Sequence, residues 1–144
     1  MTVATPTRAG RIDDVGYNRF AEEKYGNFYA ADIASIAAAA TYSTASDEGY
    51  FPGSEEIWIS CKATGGNASA SGNVTFNFVV KGDATQSYPT TASFSVVLKL
   101  SGTSAVVKDA IVSFPGKLIK VLSIVNGDAS YTATVVNAAY FAKQ

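Results

Sequence analysis

The alternation of apolar and polar residues along the second half of the chain restricts its fold more than any other feature. Between residues 73 and 81, every second residue from Val74 to Val80 is Val or Phe. Successive side chains of a β-strand point to opposite faces of a sheet, so a period of two predicts a strand with one buried face. Five further runs show a similar pattern: residues 55–62, 93–100, 106–114, 117–125 and 130–141. The sequence therefore predicts six strands.

Turn signals separate these runs. Gly82-Asp83 ends one strand pattern, and Asn126-Gly127-Asp128 predicts a hairpin between the last two strands. Short strands with turns about every 8–12 residues are typical of an antiparallel β-sandwich or jelly roll. We therefore expect an all-β, antiparallel sandwich body over residues 33–144, preceded by an extended N-terminal arm over residues 1–32.

The first part of this body is ambiguous. The six alanines of residues 31–43 favour a helix, whereas the alternation of Ile33 and Ser35, continuing towards Thr41, favours a strand with a small-residue face. We expect a seventh strand here, followed by a loop over residues 46–53, which contain Gly, Pro and acidic side chains.

The arm has a pattern of its own. Residues 1–10 show no periodicity and predict an extended tail. Aromatic residues then recur at helical spacing, with acidic residues on the opposite side, which predicts a short amphipathic helix over about residues 17–25. Gly26-Asn27 provides the expected stop.

The arm is also the best candidate for binding a partner. It holds all three arginines of the chain and five large aromatics within thirteen residues. Aromatic and arginine side chains supply much of the binding energy at protein interfaces. The alternative is that the aromatics fold back as a lid on one end of the sandwich. The predicted partner-binding residues are Arg8, Arg11, Tyr17, Arg19, Phe20, Tyr25, Phe28 and Tyr29.

Charge is divided unevenly along the chain. Residues 1–56 carry four basic and nine acidic side chains, for a charge of −5, and residues 57–144 carry seven and three, for +4, which sum to the net −1. Such a division steers assembly rather than holding it together, because exposed ion pairs contribute about 0–1 kcal/mol each. The lysines of the body are scattered singly, so we expect no nucleic-acid partner. The absence of a long apolar run predicts no membrane partner and synthesis in a cytoplasm.

The residues of common active sites are missing. The chain has no histidine and one cysteine, Cys61, so neither a Ser-His-Asp triad nor a Cys-His site can be built. Acidic doublets such as Glu55-Glu56 are predicted to be solvated charges. We expect no enzymatic activity, no cofactor and no metal site. Trp58 is predicted to be a core or inter-sheet residue, and Cys61 a small buried one.

This layout resembles that of the small head decoration, or cement, proteins of tailed bacteriophages. The similar features are the N-terminal arm, the short all-β body and the closing run KLIKVLSIVNGDASYTATVVNAAYF. The resemblance implies a sandwich or jelly roll on the capsid exterior, often a trimer at local three-fold positions, with its arm laid over neighbouring major capsid subunits. It further implies a structural protein of the virion rather than an enzyme.

Two other interpretations remain open. The body could be a carbohydrate-binding or adhesin-like sandwich of a phage tail fibre or receptor-binding apparatus. It would then stack sugars on exposed aromatics chosen from Tyr50, Phe51, Trp58 and Tyr88. A glycosidase acting through the carboxylate pair Glu55 and Glu56 is the third interpretation.

Overall fold

The computed structural model describes residues 23–52, 56–115 and 117–143, and these residues form strands and loops without a helix. Every strand pair is antiparallel. In chain order the strands are β1 (Glu23–Asn27), β2 (Ile33–Ile36), β3 (Thr41–Tyr42), β4 (Gly49–Phe51), β5 (Glu56–Gly65), β6 (Asn73–Lys81), β7 (Phe94–Lys99), β8 (Ala105–Val112), β9 (Lys117–Asn126) and β10 (Ala133–Lys143).

The strands form two five-stranded sheets. Sheet I has the order β1-β10-β5-β8, with β2 also paired to β10, and sheet II has the order β3-β9-β6-β7, with β4 also paired to β9. One edge of each sheet is therefore made of two short strands that share one long neighbour. The described residues form an all-β sandwich of antiparallel sheets, as the alternation predicted.

All six strands predicted from alternation are present, and the bounds of β6 coincide with the predicted residues 73–81. The alanine-rich segment gives two strands instead of one, β2 and β3. They are separated at Ala39, whose φ of 56° lies in the left-handed region. The expected loop over residues 46–53 contains the short strand β4.

The prediction of a hairpin at Asn126-Gly127-Asp128 is wrong. β9 pairs with β6 in sheet II, whereas β10 pairs with β5 in sheet I. The Asn-Gly-Asp sequence therefore carries the chain from one sheet to the other. An Asn-Gly-Asp turn suits both a hairpin within one sheet and a crossing between two sheets. The burial of the flanking strands decides which sheet each strand joins.

The first described strand also corrects the prediction for the arm. Residues 23–27 pair with β10 as a strand, so the end of the predicted helix is β-structure. Phe28 and Tyr29, which follow at once, are 1% and 7% exposed and belong to the core. Residues 17–22 of the predicted helix lie outside the described residues.

The core lies between the sheets and is rich in aromatic rings. Phe28 contacts Phe78 edge-on at 5.5 Å between centroids and Tyr140 at 5.0 Å, and Phe51 contacts Tyr140 at 5.2 Å. Tyr140 fits because its strand neighbour is Gly26, where a Cβ atom would lie 2.9 Å from the tyrosine oxygen. Burial of each large apolar side chain contributes about 1.5–3 kcal/mol, so this cluster is a major source of stability.

A buried asparagine organises the crossing between the sheets. Asn126, fully buried at the end of β9, donates from Nδ2 to the carbonyl oxygens of Ile36, Ala37 and Tyr131 at 3.0–3.1 Å. Its Oδ1 accepts from the backbone N–H of Asp128 at 3.1 Å. One side chain therefore joins the end of β2 to both sides of the crossing.

Asp128 completes the crossing. Its Oδ2 accepts from the N–H groups of Ser71 and Gly72 at 3.0 and 2.8 Å, and its Oδ1 accepts from those of Ser130 and Tyr131 at 3.0 and 2.9 Å. These four donors lower the pKa of Asp128 from its usual 3.8 to about 2. Position 72 must be glycine, because a Cβ atom there would lie 2.3 Å from the Cα of Asp128.

Asn126→Ala should lower the free energy of unfolding by about 2–4 kcal/mol, since it leaves one buried and two part-buried carbonyl groups without their donor. Urea denaturation followed by circular dichroism measures the loss. The matched control is Asn73→Ala, an exposed asparagine on β6, for which a change within about 0.5 kcal/mol is expected. Equal effects of the two substitutions would contradict the role of Asn126.

The protein should lose stability in acid as Asp128 is protonated. Its folded pKa is depressed, so its contribution is complete above the unfolded value and disappears as the pH falls from about 4 to about 2. Between about pH 4 and about pH 2, the melting temperature of Asp128→Asn should depend less on pH than that of the natural chain. Asp47→Asn, which removes a carboxylate at an exposed position, is the matched control.

Candidate functional site

The outer face of sheet I carries a row of large apolar side chains that crosses the whole sheet. The strand register places Tyr25 opposite Phe141, Phe141 opposite Trp58, and Trp58 opposite Ile111. Their exposed fractions are 73%, 39%, 46% and 53% in that order. Because directly opposite residues of neighbouring strands point to the same face, these four form one continuous band, called here the aromatic row.

Next to the aromatic row lies a row of smaller residues. This second row lies two residues along each strand from the aromatic row, and the strand register aligns its members: Asn27, Ala139, Ser60 and Asp109. The following row contains Asn137, Lys62 and Val107. The small middle row is therefore lower than its two neighbours, and it forms the floor of a shallow depression, called here the outer groove.

The outer groove consists of two adjoining cavities. One, of about 350 Å³, is bordered by Trp58, Phe141 and Asp109, and the other, of about 150 Å³, is bordered by Asn27, Lys62 and neighbouring residues. Ser60 and Ala139 line both. The larger cavity is within the size range of small-ligand sites, about 300–1,000 Å³.

The two aromatic rings nearest the edge of the sheet are aligned. The rings of Tyr25 and Phe141 are 6.3 Å apart between centroids and inclined by 23°. Cross-strand aromatic pairs of this kind contribute about 0.2–1 kcal/mol to sheet stability. The contact places the Tyr25 ring beside Phe141 at the edge of sheet I.

The opposite wall of the groove is polar and held in place. Lys62 Nζ is 3.0 Å from Asp32 Oδ2, and Asn137 Nδ2 donates to Asp32 Oδ1 at 2.9 Å. The hydrogen bond from Asn137, followed by that from Lys62, lowers the pKa of Asp32. Asn137 also accepts from the N–H of Tyr29 and donates to its carbonyl oxygen, so the loop after β1 is tied to β10.

A bulge in β10 brings Asn137 to this position. The register with β5 shifts between Thr134 and Asn137, and Val135 within this interval has a φ of 52°. A β-branched residue with positive φ is rare and strained, and such residues often mark functional sites. The bulge moves Asn137 into contact with the loop that holds Asp32.

Two polar side chains of the groove have no partner among the described residues. Neither the Ser60 hydroxyl nor the Asp109 carboxylate makes a hydrogen bond or an ion pair within residues 23–52, 56–115 and 117–143. Both border the larger cavity.

Another aromatic ring, that of Tyr88, lies beside sheet II, and two lysine side chains of the protein itself cover it. Lys81 Nζ and Lys120 Nζ lie 4.4 and 4.3 Å from the ring centroid of Tyr88, whose hydroxyl donates to Glu48 at 2.8 Å. Burial, followed by Glu48, raises the pKa of Tyr88. These contacts fasten the loop between β6 and β7 to the sheet, which is a structural role.

The predicted partner-binding residues divide into three groups. Tyr25 is exposed and belongs to the aromatic row. Phe28 and Tyr29 are buried in the protein's own core, so this part of the prediction is corrected: in the folded chain they are not available to a partner. The remaining five lie outside the described residues: Arg8, Arg11, Tyr17, Arg19 and Phe20.

The prediction that Trp58 belongs to the core is wrong. It alternates with Ile57 and Ile59, which are fully buried, and therefore points outwards. The alternation by itself predicts this outward position, whereas the usual preference of tryptophan for burial predicts the opposite. Phe141, Ile111 and Asp109 were missed because nothing local shows that three separate strands place them beside Trp58. Of the other aromatics considered for sugar stacking, Phe51 is fully buried and Tyr50 is half exposed.

The described residues also limit other kinds of chemistry. They contain no group of three or more Cys, Asp or Glu side chains placed to hold a metal ion. Cys61 is buried, as expected, and burial raises the pKa of its thiol. No helix in the described ranges is long and apolar enough to cross a membrane.

Comparison with known proteins gives no family. No family model matches the chain, and a search among curated proteins finds no significant match. Among solved structures, the Carbohydrate-Binding Module CBM36 in complex with calcium and xylotriose has a TM-score of 0.47 and 15% identity, covering 82% of this chain and 98% of that one.

Two other solved structures have similar values. A CBM4 structure has a TM-score of 0.44 and 14% identity, over 76% of this chain and 70% of that one. A chain of infectious bursal disease virus, Gx strain, has a TM-score of 0.48 and 11% identity, over 96% of this chain and 36% of that one. These similarities concern the β-sandwich type of fold and carry no argument about activity or ligand.

Trp58→Ala should change the free energy of unfolding by less than about 1 kcal/mol, because the ring lies on the outer face. Ile59→Ala, one position along the same strand, should cost about 2–5 kcal/mol, because it leaves a cavity in the core. Urea denaturation of both variants measures the difference. A larger loss for Trp58→Ala than for Ile59→Ala would place Trp58 in the core after all.

Proposed function

We propose that this chain is a structural protein of a virion, a decoration or cement protein that binds the outside of a phage head. Its N-terminal segment would lie over neighbouring major capsid subunits and clamp them together. The protein would act without enzymatic chemistry, as a homo-oligomer, with a trimer favoured by the local three-fold positions of a capsid.

The observation that carries this proposal is where the sandwich begins. The described core is built from Phe28 to Ala142, and β1 is an edge strand of sheet I. Within the described residues, the two sheets enclose a core of buried aromatic and aliphatic side chains. Residues 1–22, which precede β1 in the sequence, carry every arginine of the chain together with Tyr17 and Phe20. Such a composition suits an interface with another protein.

The arm proposed here is shorter than the predicted residues 1–32. Phe28 and Tyr29 are buried in the core and Tyr25 stacks on Phe141, which supports limiting the proposed arm to residues 1–22. A truncation that also removed β1 would damage the sandwich and would not test binding. The interface residues proposed for the capsid are Arg8, Arg11, Tyr17, Arg19 and Phe20.

Repetition would supply the strength of the clamp. An oligomer presents one arm per subunit, and each arm that binds raises the effective concentration of the next. Weak contacts repeated by the symmetry of the capsid then add up to tight binding. The arginines and acidic residues of the segment would orient it on subunits of complementary charge.

Deletion of residues 1–22 should leave a folded body that no longer binds heads. The test is co-sedimentation of the full chain and of the truncated chain with empty phage heads assembled without this protein. Circular dichroism and urea denaturation check that the truncated body is folded. Undiminished sedimentation of the truncated chain with heads, or none for the full chain, would refute the proposal.

A pair of matched charge variants separates arm contacts from general electrostatics. Arg8→Gln with Arg11→Gln should weaken binding to heads, and the loss should be largest at low salt, because salt screens the attraction that these two charges supply. Lys108→Gln with Lys117→Gln removes the same charge from exposed positions of the body and should leave binding nearly unchanged. Equal losses for the two pairs would point to the net charge rather than to the arm.

A further inference from the structure

We infer that the outer groove of sheet I binds a neutral saccharide, at a site separate from the N-terminal segment proposed to hold the capsid. The inference rests on the juxtaposition of the aromatic row with polar side chains that have no partner among the described residues. It does not depend on the capsid proposal.

The aromatic row supplies a stacking surface. Sugars present faces of C–H groups that pack against aromatic rings, and Trp58, Phe141 and Tyr25 lie in one line across three neighbouring strands. Strands in a sheet are about 4.8 Å apart, so the three rings cover about 10 Å. A ligand extended across the strands would contact more than one ring. The row therefore fits an oligosaccharide better than a single sugar.

The floor and far wall supply hydrogen-bonding groups. The Ser60 hydroxyl and the Asp109 carboxylate border the larger cavity beside Trp58, and Asn27 borders the smaller one. Lys62 borders the smaller cavity and is paired with Asp32, while the buried Asn137, whose amide donates to Asp32 and Tyr29, holds that aspartate in place. Hydroxyl-rich ligands need donors and acceptors placed beside an apolar surface, and a few well-placed polar groups determine orientation at such sites.

A protein partner fits this surface less well. The centres of protein interfaces are depleted in charged residues, whereas Asp109, Lys62 and Asp32 lie in or beside the groove. A second copy stacked on the same face would bring concave surface against concave surface. Such a contact would leave the floor residues Ser60 and Ala139 without packing. The concavity and the polar groups that have no partner among residues 23–52, 56–115 and 117–143 favour a small hydrated ligand.

The charge of the groove indicates which saccharides it accepts. Lys62 is paired with Asp32, so Asp109 leaves the three groups with a net charge of −1. A negatively charged site repels the carboxylates of uronic and sialic acids, whereas its charge does not weaken the binding of neutral sugars. We therefore assign neutral oligosaccharides as the ligand class.

The test begins with the full chain on an array of neutral gluco-, xylo-, manno- and galacto-oligosaccharides together with acidic oligogalacturonate and sialyllactose. The neutral oligosaccharide with the strongest signal is then titrated by calorimetry, a method that does not require tryptophan. Binding should be weakened about tenfold or more by Trp58→Ala and by Phe141→Ala. Trp58→Tyr, which keeps a ring at this position, should retain most of the affinity.

The control is Val97→Ala, which truncates a side chain that is 45% exposed on sheet II and should leave the affinity unchanged. Asp109→Asn should increase binding of the acidic probes relative to the neutral ones. Circular dichroism verifies that every variant is folded. The inference is overturned if no neutral oligosaccharide binds, or if Trp58→Ala binds as well as the natural chain.

Deletion of residues 1–22 separates this inference from the proposed function. The truncated chain should keep its affinity for the oligosaccharide while losing the heads, and Trp58→Ala should show the opposite pattern. If Trp58→Ala abolishes binding to heads, the outer groove is a protein-docking surface and the saccharide assignment fails. If the truncated chain still binds heads, the arm proposal fails and the saccharide site is unaffected.

Discussion

The crossing between the two sheets is the constraint on which the rest of the structure depends. At Asn126 the chain leaves sheet II, and in β10 it forms one of the two inner strands of sheet I. This exit is possible because the buried backbone groups around it find partners in two side chains, Asn126 and Asp128. Burying such groups unpaired would cost about 1–3 kcal/mol each. Two polar residues therefore allow an apolar sandwich to close.

β10 joins stability to the proposed binding site. Its inward side chains, among them Ala138, Tyr140 and Ala142, pack in the core, while Phe141 and Ala139 on its other face form part of the groove. The bulge at Val135 shifts the register between β10 and β5, and Asn137 contacts the loop that holds Asp32. A shift of one residue in this strand would exchange the core and groove faces, so the register that closes the core also builds the site.

Much of the fold was predictable because alternation is a local property. The runs around Val74, Phe76 and Phe78 identify a half-buried strand in any all-β fold, and six such strands were correctly placed. The hairpin at Asn126 and the end of the arm helix were wrong for a shared reason. Both depend on pairing with a strand that is distant in the sequence. β9 pairs with β6 and β10 pairs with β5 on the two sides of the crossing, and residues 23–27 pair with β10.

The sequence by itself determined an all-β antiparallel body, the burial of Cys61 and the lack of a histidine-based active site, because these follow from residue type and short-range period. Tertiary structure alone decided that Phe28 and Tyr29 belong to the core. It also decided that Tyr25, Phe141, Trp58 and Ile111, from four strands far apart in the chain, form one row. The physical reason is that strand pairing is non-local: alternation tells which residues share a face of one strand, and only the register between strands tells which residues meet across a sheet.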